Sequence, residues 1–348
     1  MSGSLAPVAL GRSMGLKTSP IGLGCAEITS PCMSAVHKVQ GKHRCQPLDQ
    51  HKTSKLLLGV MQAGSTFFDT AEIYGSKTLW NEEHIGRVLS KLPRGSFTLA
   101  TKILPRYTAE DFAAVVNQSL RRLKLNFIDL LFLHRMPPTT ELLADAMHSL
   151  KRIVAAGVVR HIGLSEVPPS WLRRAHAIHP IAAVEMEWSL LTRNIERTVV
   201  PVCAELGIGV VAYSPLARTL LAVRPSELSS LRVTGWARND MPRYSHRNLL
   251  AQRKMLSIVS HIAEHRQCSN AQLSLAWLYA QAKRLGVQLV AIPGTTNLAH
   301  ALANIQSLRI RLNESEMAAL GVVASLSFGA RGGRRYMSSV FETLGGGI

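Results

Sequence analysis

Short apolar runs rich in β-branched or aromatic residues recur along the chain, and segments with helical periodicity separate them. The runs fall at 21–23, 66–68, 98–101, 128–133, 161–164, 183–187, 209–213 and 288–292. Helical patterns lie between and after them, at 54–61, 81–90, 109–123, 142–155, 170–177, 195–205, 271–283 and, more briefly, 299–304. Strand alternating with helix is the signature of parallel strands joined by crossover helices. Eight such units predict an α/β fold of one kind, a (β/α)8 TIM barrel. With 47% of 348 residues hydrophobic, the chain can bury one large core. The expected layout is therefore a single barrel domain over 1–325, with an atypical loop at 25–52, followed by a glycine-rich, mobile tail at 326–348. A second long connection, 217–248, precedes the last strand. Both long loops would emerge at the C-terminal face of the barrel, where sites are built.

No apolar run approaches the roughly 18 residues needed to cross a bilayer, so no membrane span is expected. Forty Lys and Arg against 22 Asp and Glu give a net charge of +18, which favours anionic ligands. Much of the excess sits in one stretch. Arg218, Arg224, Arg232, Arg238, Arg243, Arg247, Arg253 and Lys254 face only Glu227 and Asp240 there. Only Trp236 and Tyr244 lie among them, too few aromatics for base stacking, so the stretch reads as a solvated basic loop rather than a nucleic-acid surface. Five cysteines with no C-x-x-C pair point to a reduced compartment. Cytoplasm is the expected location; Arg12 and Lys17, with no acid in the first 26 residues, leave a mitochondrial leader as the alternative.

The chain has no G-x-G-x-x-G after a strand and no Walker A sequence, which argues against a Rossmann dehydrogenase. Polar residues instead cluster at the carboxyl ends of the expected strands: Asp69, Lys102, His134, Ser165, and Tyr213 with Ser214. A buried Asp69 would keep Lys102 charged, and that ammonium would lower the Tyr74 phenol from its usual pKa of about 10. His134, as a neutral imidazole, would orient a substrate carbonyl. Two patterns raise the question of a metal. His261-Ile262-Ala263-Glu264-His265 fits H-x-x-E-H, but falls on a helix away from the expected mouth. Cys25, Cys32, His37, His43 and Cys45 include no pair at tight chelating spacing. No metal is expected.

Several motifs carry a family resemblance. Phe67-Phe68-Asp69-Thr70-Ala71-Glu72-Ile73-Tyr74-Gly75, Leu99-Ala100-Thr101-Lys102, Ile128-Asp129-Leu130-Leu131-Phe132-Leu133-His134-Arg135 and Ile162-Gly163-Leu164-Ser165-Glu166 occur in order. Val211-Ala212-Tyr213-Ser214-Pro215-Leu216 and Ile292-Pro293-Gly294-Thr295-Thr296 follow. Together they resemble the successive motifs of the aldo-keto reductases, in particular the subgroup with a long loop after strand seven. The resemblance implies NADPH as cofactor and reduction of a small-molecule aldehyde or ketone. It also implies a catalytic tetrad of Asp69, Tyr74, Lys102 and His134, with Tyr74 as general acid. Ser165 would bind the nicotinamide carboxamide, Tyr213 would stack under the ring, and Ser214 and Leu216 would strap the pyrophosphate. Thr295, Thr296, His300 and Asn304 would take the 2′-phosphate and adenine. Three positions depart from the family pattern: Glu185 stands for a usual Gln, Ala303 for an acid and Asn297 for a Lys. An ionised Glu185 beneath the cofactor would favour NADP⁺; a protonated Glu185, or one turned toward a basic neighbour, would not. The rival to an enzyme is an NADPH-binding regulatory or sensor subunit.

Overall fold

In the computed structural model, residues 5–12, 14–30, 36–38, 46–106, 108–233 and 240–332 are described. Eight strands run parallel and pair in chain order: β1 (Gly22–Gly24), β2 (Phe67–Asp69), β3 (Thr98–Ile103), β4 (Ile128–Leu133), β5 (Val159–Ser165), β6 (Ile181–Glu187), β7 (Gly209–Tyr213) and β8 (Leu289–Ala291). Parallel bridges Ile21↔Ala291 and Gly24↔Gly294 join the two ends, so the expected barrel is the one that forms. The closure depends on a glycine. A Cβ on Gly24 would lie 2.9 Å from the Ile292 carbonyl oxygen, closer than a side chain tolerates.

Helices α1 (Gln50–Gln62), α2 (Asn81–Leu89), α3 (Ala109–Leu123), α4 (Thr140–Ala155), α5 (Pro169–Ile178) and α6 (Val199–Leu206) connect the first seven strands. After β7 come α7 (Arg253–His265) and α8 (Asn270–Arg284); α9 (Leu298–Gln306) and α10 (Glu314–Gly321) follow β8. Their starts are chemically marked. Asp49, Thr108, Thr139, Ser269 and Asn297 each accept a backbone N–H from the first turn of the helix they precede. Two cores result. One lies between strands and helices, and the other fills the barrel with Phe67, Ala100, Leu130, Phe132, Val211 and Val290. Leu10 and Leu16 belong to this second core and come from an N-terminal hairpin, Val8–Leu10 with Leu16–Thr18, which covers the barrel beside the start of β7.

Several features differ from the sequence reading. The hairpin and α10 were not foreseen, because three-residue strands and an eight-residue helix carry little periodicity. The two long loops do more than border the mouth. Val36–Lys38 of the first pairs antiparallel with Leu231–Val233 of the second, stitching them together. The expected solvated basic loop is only partly solvated: Arg243 is buried and donates to Thr192 Oγ1 at 3.0 Å, and Tyr244 is buried with its hydroxyl donating to the Ala217 carbonyl at 3.1 Å. Trp236 and Arg238 lie outside the described residues. The start of the expected tail packs on the barrel. Gln252 donates to the Phe328 carbonyl at 2.8 Å and the Arg243 N–H to the Ala330 carbonyl at 3.1 Å. Residues 333–348 lie outside the described residues. Among the described residues, no helix is long and apolar enough to cross a membrane.

Candidate active site

The carboxyl ends of β2, β3 and β4 place Asp69, Lys102 and His134 on one rim, and the turn after β2 brings in Tyr74. Lys102 is the centre. Its ammonium donates to Asp69 Oδ1 at 2.5 Å and to the Thr70 carbonyl at 2.8 Å, lies 3.4 Å from Glu185 Oε1, and stands 5.1 Å from the centre of the Tyr74 ring. Tyr74 in turn meets His134 edge to face, with ring centres 5.7 Å apart. The four tetrad residues thus converge as expected, and Glu185 joins them from β6.

The electrostatics follow from one ammonium buried with two carboxyl groups. Burial opposes the charge on Lys102, but its neighbours, Asp69 foremost, outweigh it and raise its pKa, so it remains an ammonium. Burial raises Asp69 against the pull of Lys102. Burial and the neighbouring Asp69 push Glu185 up to about 8, so at neutral pH it holds its proton. Of the two readings of Glu185, its position 3.4 Å from Lys102 shows it turned toward a basic neighbour, and burial beside Asp69 favours the protonated form. The expected lowering of Tyr74 does not occur. Burial outweighs Lys102 and pushes the phenol up to about 12. Burial, with Lys102 and Arg135, drives His134 well below its ordinary value, so it is a neutral imidazole.

The remaining residues expected at the site spread around the same mouth. Ser165 ends β5 and is buried; Tyr213 ends β7 and is partly exposed. Beyond it the chain enters a strained strap: Ser214, Ala217, Arg218 and Thr219 all take positive φ, at 48°, 46°, 48° and 80°. Four non-glycine residues held this way in six positions mark a backbone fixed by its surroundings. Leu216 lies inside this strap, whose Ala217 carbonyl is fixed by Tyr244. Across the β8 end, Thr295 is buried, Thr296 half-buried and His300 exposed, while Asn304 is buried on α9. Asn297, where a Lys was the family expectation, caps α9 by accepting from the Ala299 and His300 N–H groups at 2.8 and 3.4 Å.

Three buried polar atoms at the mouth have no hydrogen-bond partner among the described residues, Asp69 Oδ2, His134 Nδ1 and Glu185 Oε2, so the mouth can take a polar ligand. The H-x-x-E-H residues His261, Glu264 and His265 lie exposed on α7. Cys32, His43 and Cys45 lie outside the described residues. Among the described residues, no three His, Cys, Asp or Glu side chains gather as a metal site. What sequence reasoning missed is a second ionic group beside Tyr213, formed by Glu166, Glu187 and Arg331.

Residues 36–324 match the Aldo/keto reductase family. "Probable aldo-keto reductase 1" of Glycine max is 36% identical over 327 residues, covering 89% of this chain and 86% of that protein. Among solved structures, a thermostable aldo-keto reductase in complex with the inhibitor epalrestat superposes with a TM-score of 0.69 at 24% identity. It covers 92% of this chain and 100% of that one. An aldo/keto reductase from Klebsiella pneumoniae in complex with NADP and acetate gives 0.65 at 24% identity, over 91% and 94%. A family match over most of the length, with a relative more than a third identical over most of both chains, places this chain in the aldo/keto reductase family.

Proposed function

We propose that the chain is an NADPH-dependent reductase of aldehydes or ketones, with Tyr74 as the proton donor. The observation that carries this reading is the convergence of Tyr74, Lys102, Asp69 and His134 within one buried cluster at the barrel mouth. The family assignment and the NADP-bound relative support the cofactor. NADPH, when bound, supplies a hydride to the carbonyl carbon. The chain supplies the rest. His134, neutral at working pH, donates a hydrogen bond that orients the carbonyl oxygen. Tyr74 gives its proton to that oxygen as negative charge develops there. A phenol held near 12 keeps its proton until the far more basic alkoxide forms, which is the property required of this acid. Lys102 then faces the phenolate left behind and stabilises it, with Asp69 fixing the ammonium.

Ser165, Glu185 and Tyr213 would hold the nicotinamide. Ser214 and Leu216 of the strap would cover the pyrophosphate, and Thr295, Thr296, His300 and Asn304 would take the adenine end. The Thr295 hydroxyl accepts from the Asn297 N–H at 3.1 Å, which leaves its own proton to donate to a phosphate. The test is to follow oxidation of NADPH by the purified protein across a panel of aldehydes and ketones. Turnover of at least one carbonyl class supports the enzyme. Tight NADPH binding without turnover of any would assign the chain to a regulatory role instead.

A further inference from the structure

A buried ionic network ties the C-terminal segment to the aromatic ring at the end of β7. The Tyr213 hydroxyl donates to Glu166 Oε1 at 2.6 Å, and the Glu187 N–H donates to the same oxygen at 3.1 Å. Arg331 then grips both acids. Its Nη2 lies 2.8 Å from Glu166 Oε2, and its Nη1 lies 3.3 Å from Glu166 Oε1 and 3.2 Å from Glu187 Oε2. The circuit closes through the loop after β7: Thr192 donates to Glu187 Oε1 at 2.9 Å, Arg243 donates to Thr192, and the Arg243 N–H holds the Ala330 carbonyl. The side chains of Arg331, Glu166 and Glu187 are only 7%, 2% and 4% exposed, so their charges are nearly withdrawn from water. Glu166 also sits at φ 53°, a conformation that a non-glycine residue keeps only when its surroundings demand it.

We propose that Arg331 is a positioning residue that acts through Glu166 to fix the Tyr213 ring as a flat platform for the nicotinamide. The proposal rests on the reading of Tyr213 as that platform. A tyrosine at a strand end, partly exposed, swings about two side-chain torsions unless its far end is held. The bond from its hydroxyl to Glu166 holds it, and Arg331 is what allows Glu166 to remain an anion there. Arg331 keeps the Glu166 carboxyl below its usual range despite burial. Without the guanidinium, Glu166 and Glu187 would be two buried acids side by side; protonation or rotation toward water would relieve them, and the tether on Tyr213 would slacken.

The test titrates NADPH into wild type and into Tyr213→Phe, Tyr213→Ala, Arg331→Lys and the double variant Tyr213→Ala/Arg331→Lys, with thermal unfolding to check folding. Lys keeps a charge between the two acids, which favours folding of that variant, but it lacks the fork that grips both. Tyr213→Ala should weaken NADPH binding roughly tenfold or more through loss of stacking. Tyr213→Phe, which removes only the hydroxyl, and Arg331→Lys should each weaken it several-fold. Both should also blunt the change in NADPH emission on binding. In the double variant, Arg331→Lys should add nothing to Tyr213→Ala, because there is no ring left to position. If Tyr213→Ala binds NADPH like wild type, the platform reading itself fails. If Tyr213→Ala weakens binding while Tyr213→Phe and Arg331→Lys leave it intact, or if the two effects add in full, the role of Arg331 is overturned.

Discussion

Tyr74 stands beside the Lys102 ammonium, which can stabilise the anion the phenol leaves. Tyr74→Phe should therefore retain NADPH affinity while kcat falls by about 10² or more, the usual scale of a lost general acid. A variant that turns over within a few-fold of wild type would remove Tyr74 from the mechanism. Glu185 makes a prediction about stability. Its folded pKa of about 8 lies above the ordinary carboxylate value, so the folded state binds a proton that the unfolded chain has already lost. Stability contributed by that proton is fully present below the unfolded value, near 4.5, and is lost as pH rises toward 8. Glu185→Gln removes the titration. Unfolding free energies of the two proteins, from denaturant titration, should converge toward pH 5 and separate by pH 8 in favour of Gln, by ~2 kcal/mol or more. Parallel curves across that range would mean that Glu185 is not the group that titrates. The clustering of Asp69, Lys102 and His134 was legible in the sequence because each punctuates an apolar strand with a polar residue. The sign of the Tyr74 shift was not, since it depends on how deeply the phenol is buried. Nor was Arg331, which lies in a glycine-rich stretch that reads as a tail and finds its partners 144 and 165 residues away.

Elements with strong periodicity were read within a few residues: β4, β7 and α3 match their expected bounds. The N-terminal hairpin escaped because its strands are three residues long and its burial comes from contact with β7 rather than from its own pattern. The strap after β7 was expected as a site-bordering loop, but its run of positive φ at Ala217, Arg218 and Thr219 has no glycine to announce it. Its shape is imposed from outside, by partners such as Tyr244. The start of α9 shows how a departure from a family pattern becomes a structural role. Asn297 occupies two of the first N–H groups of the helix that a longer Lys would leave to other acceptors. Asn297→Ala should cost about 1 kcal/mol of stability, the usual value of an N-cap, measured by denaturant unfolding. Because α9 carries Asn304 and His300, the frayed turn should also raise the Kd for NADPH while kcat at saturation holds. A loss of kcat with an unchanged Kd would show that the cap serves the chemistry rather than the adenine end.

For the whole molecule, the charge of +18 favours an anionic ligand. Part of that charge is consumed internally: Arg331 lies between Glu166 and Glu187, and Arg106 is held by Glu72 at 2.8 Å to both carboxylate oxygens. On the proposed reading, what remains would make a positive field that gathers an anionic dinucleotide before it docks. The field of exposed charges reaches about 10 Å at 0.1 M salt and about 3 Å at 1 M, so its contribution is set by ionic strength. The association rate of NADPH, measured by stopped-flow quenching, should therefore fall by about tenfold between 20 mM and 500 mM salt. The dissociation rate should change less if, as proposed, the bound cofactor is held by the partly buried 214–219 segment and α9. NADH, which lacks the 2′-phosphate and its negative charge, should show a shallower slope, and the KM of an uncharged aldehyde should not respond. Identical slopes for NADPH and NADH would mean that the phosphate is not drawn in by the field. An association rate independent of salt would assign the positive charge no part in capture of the cofactor.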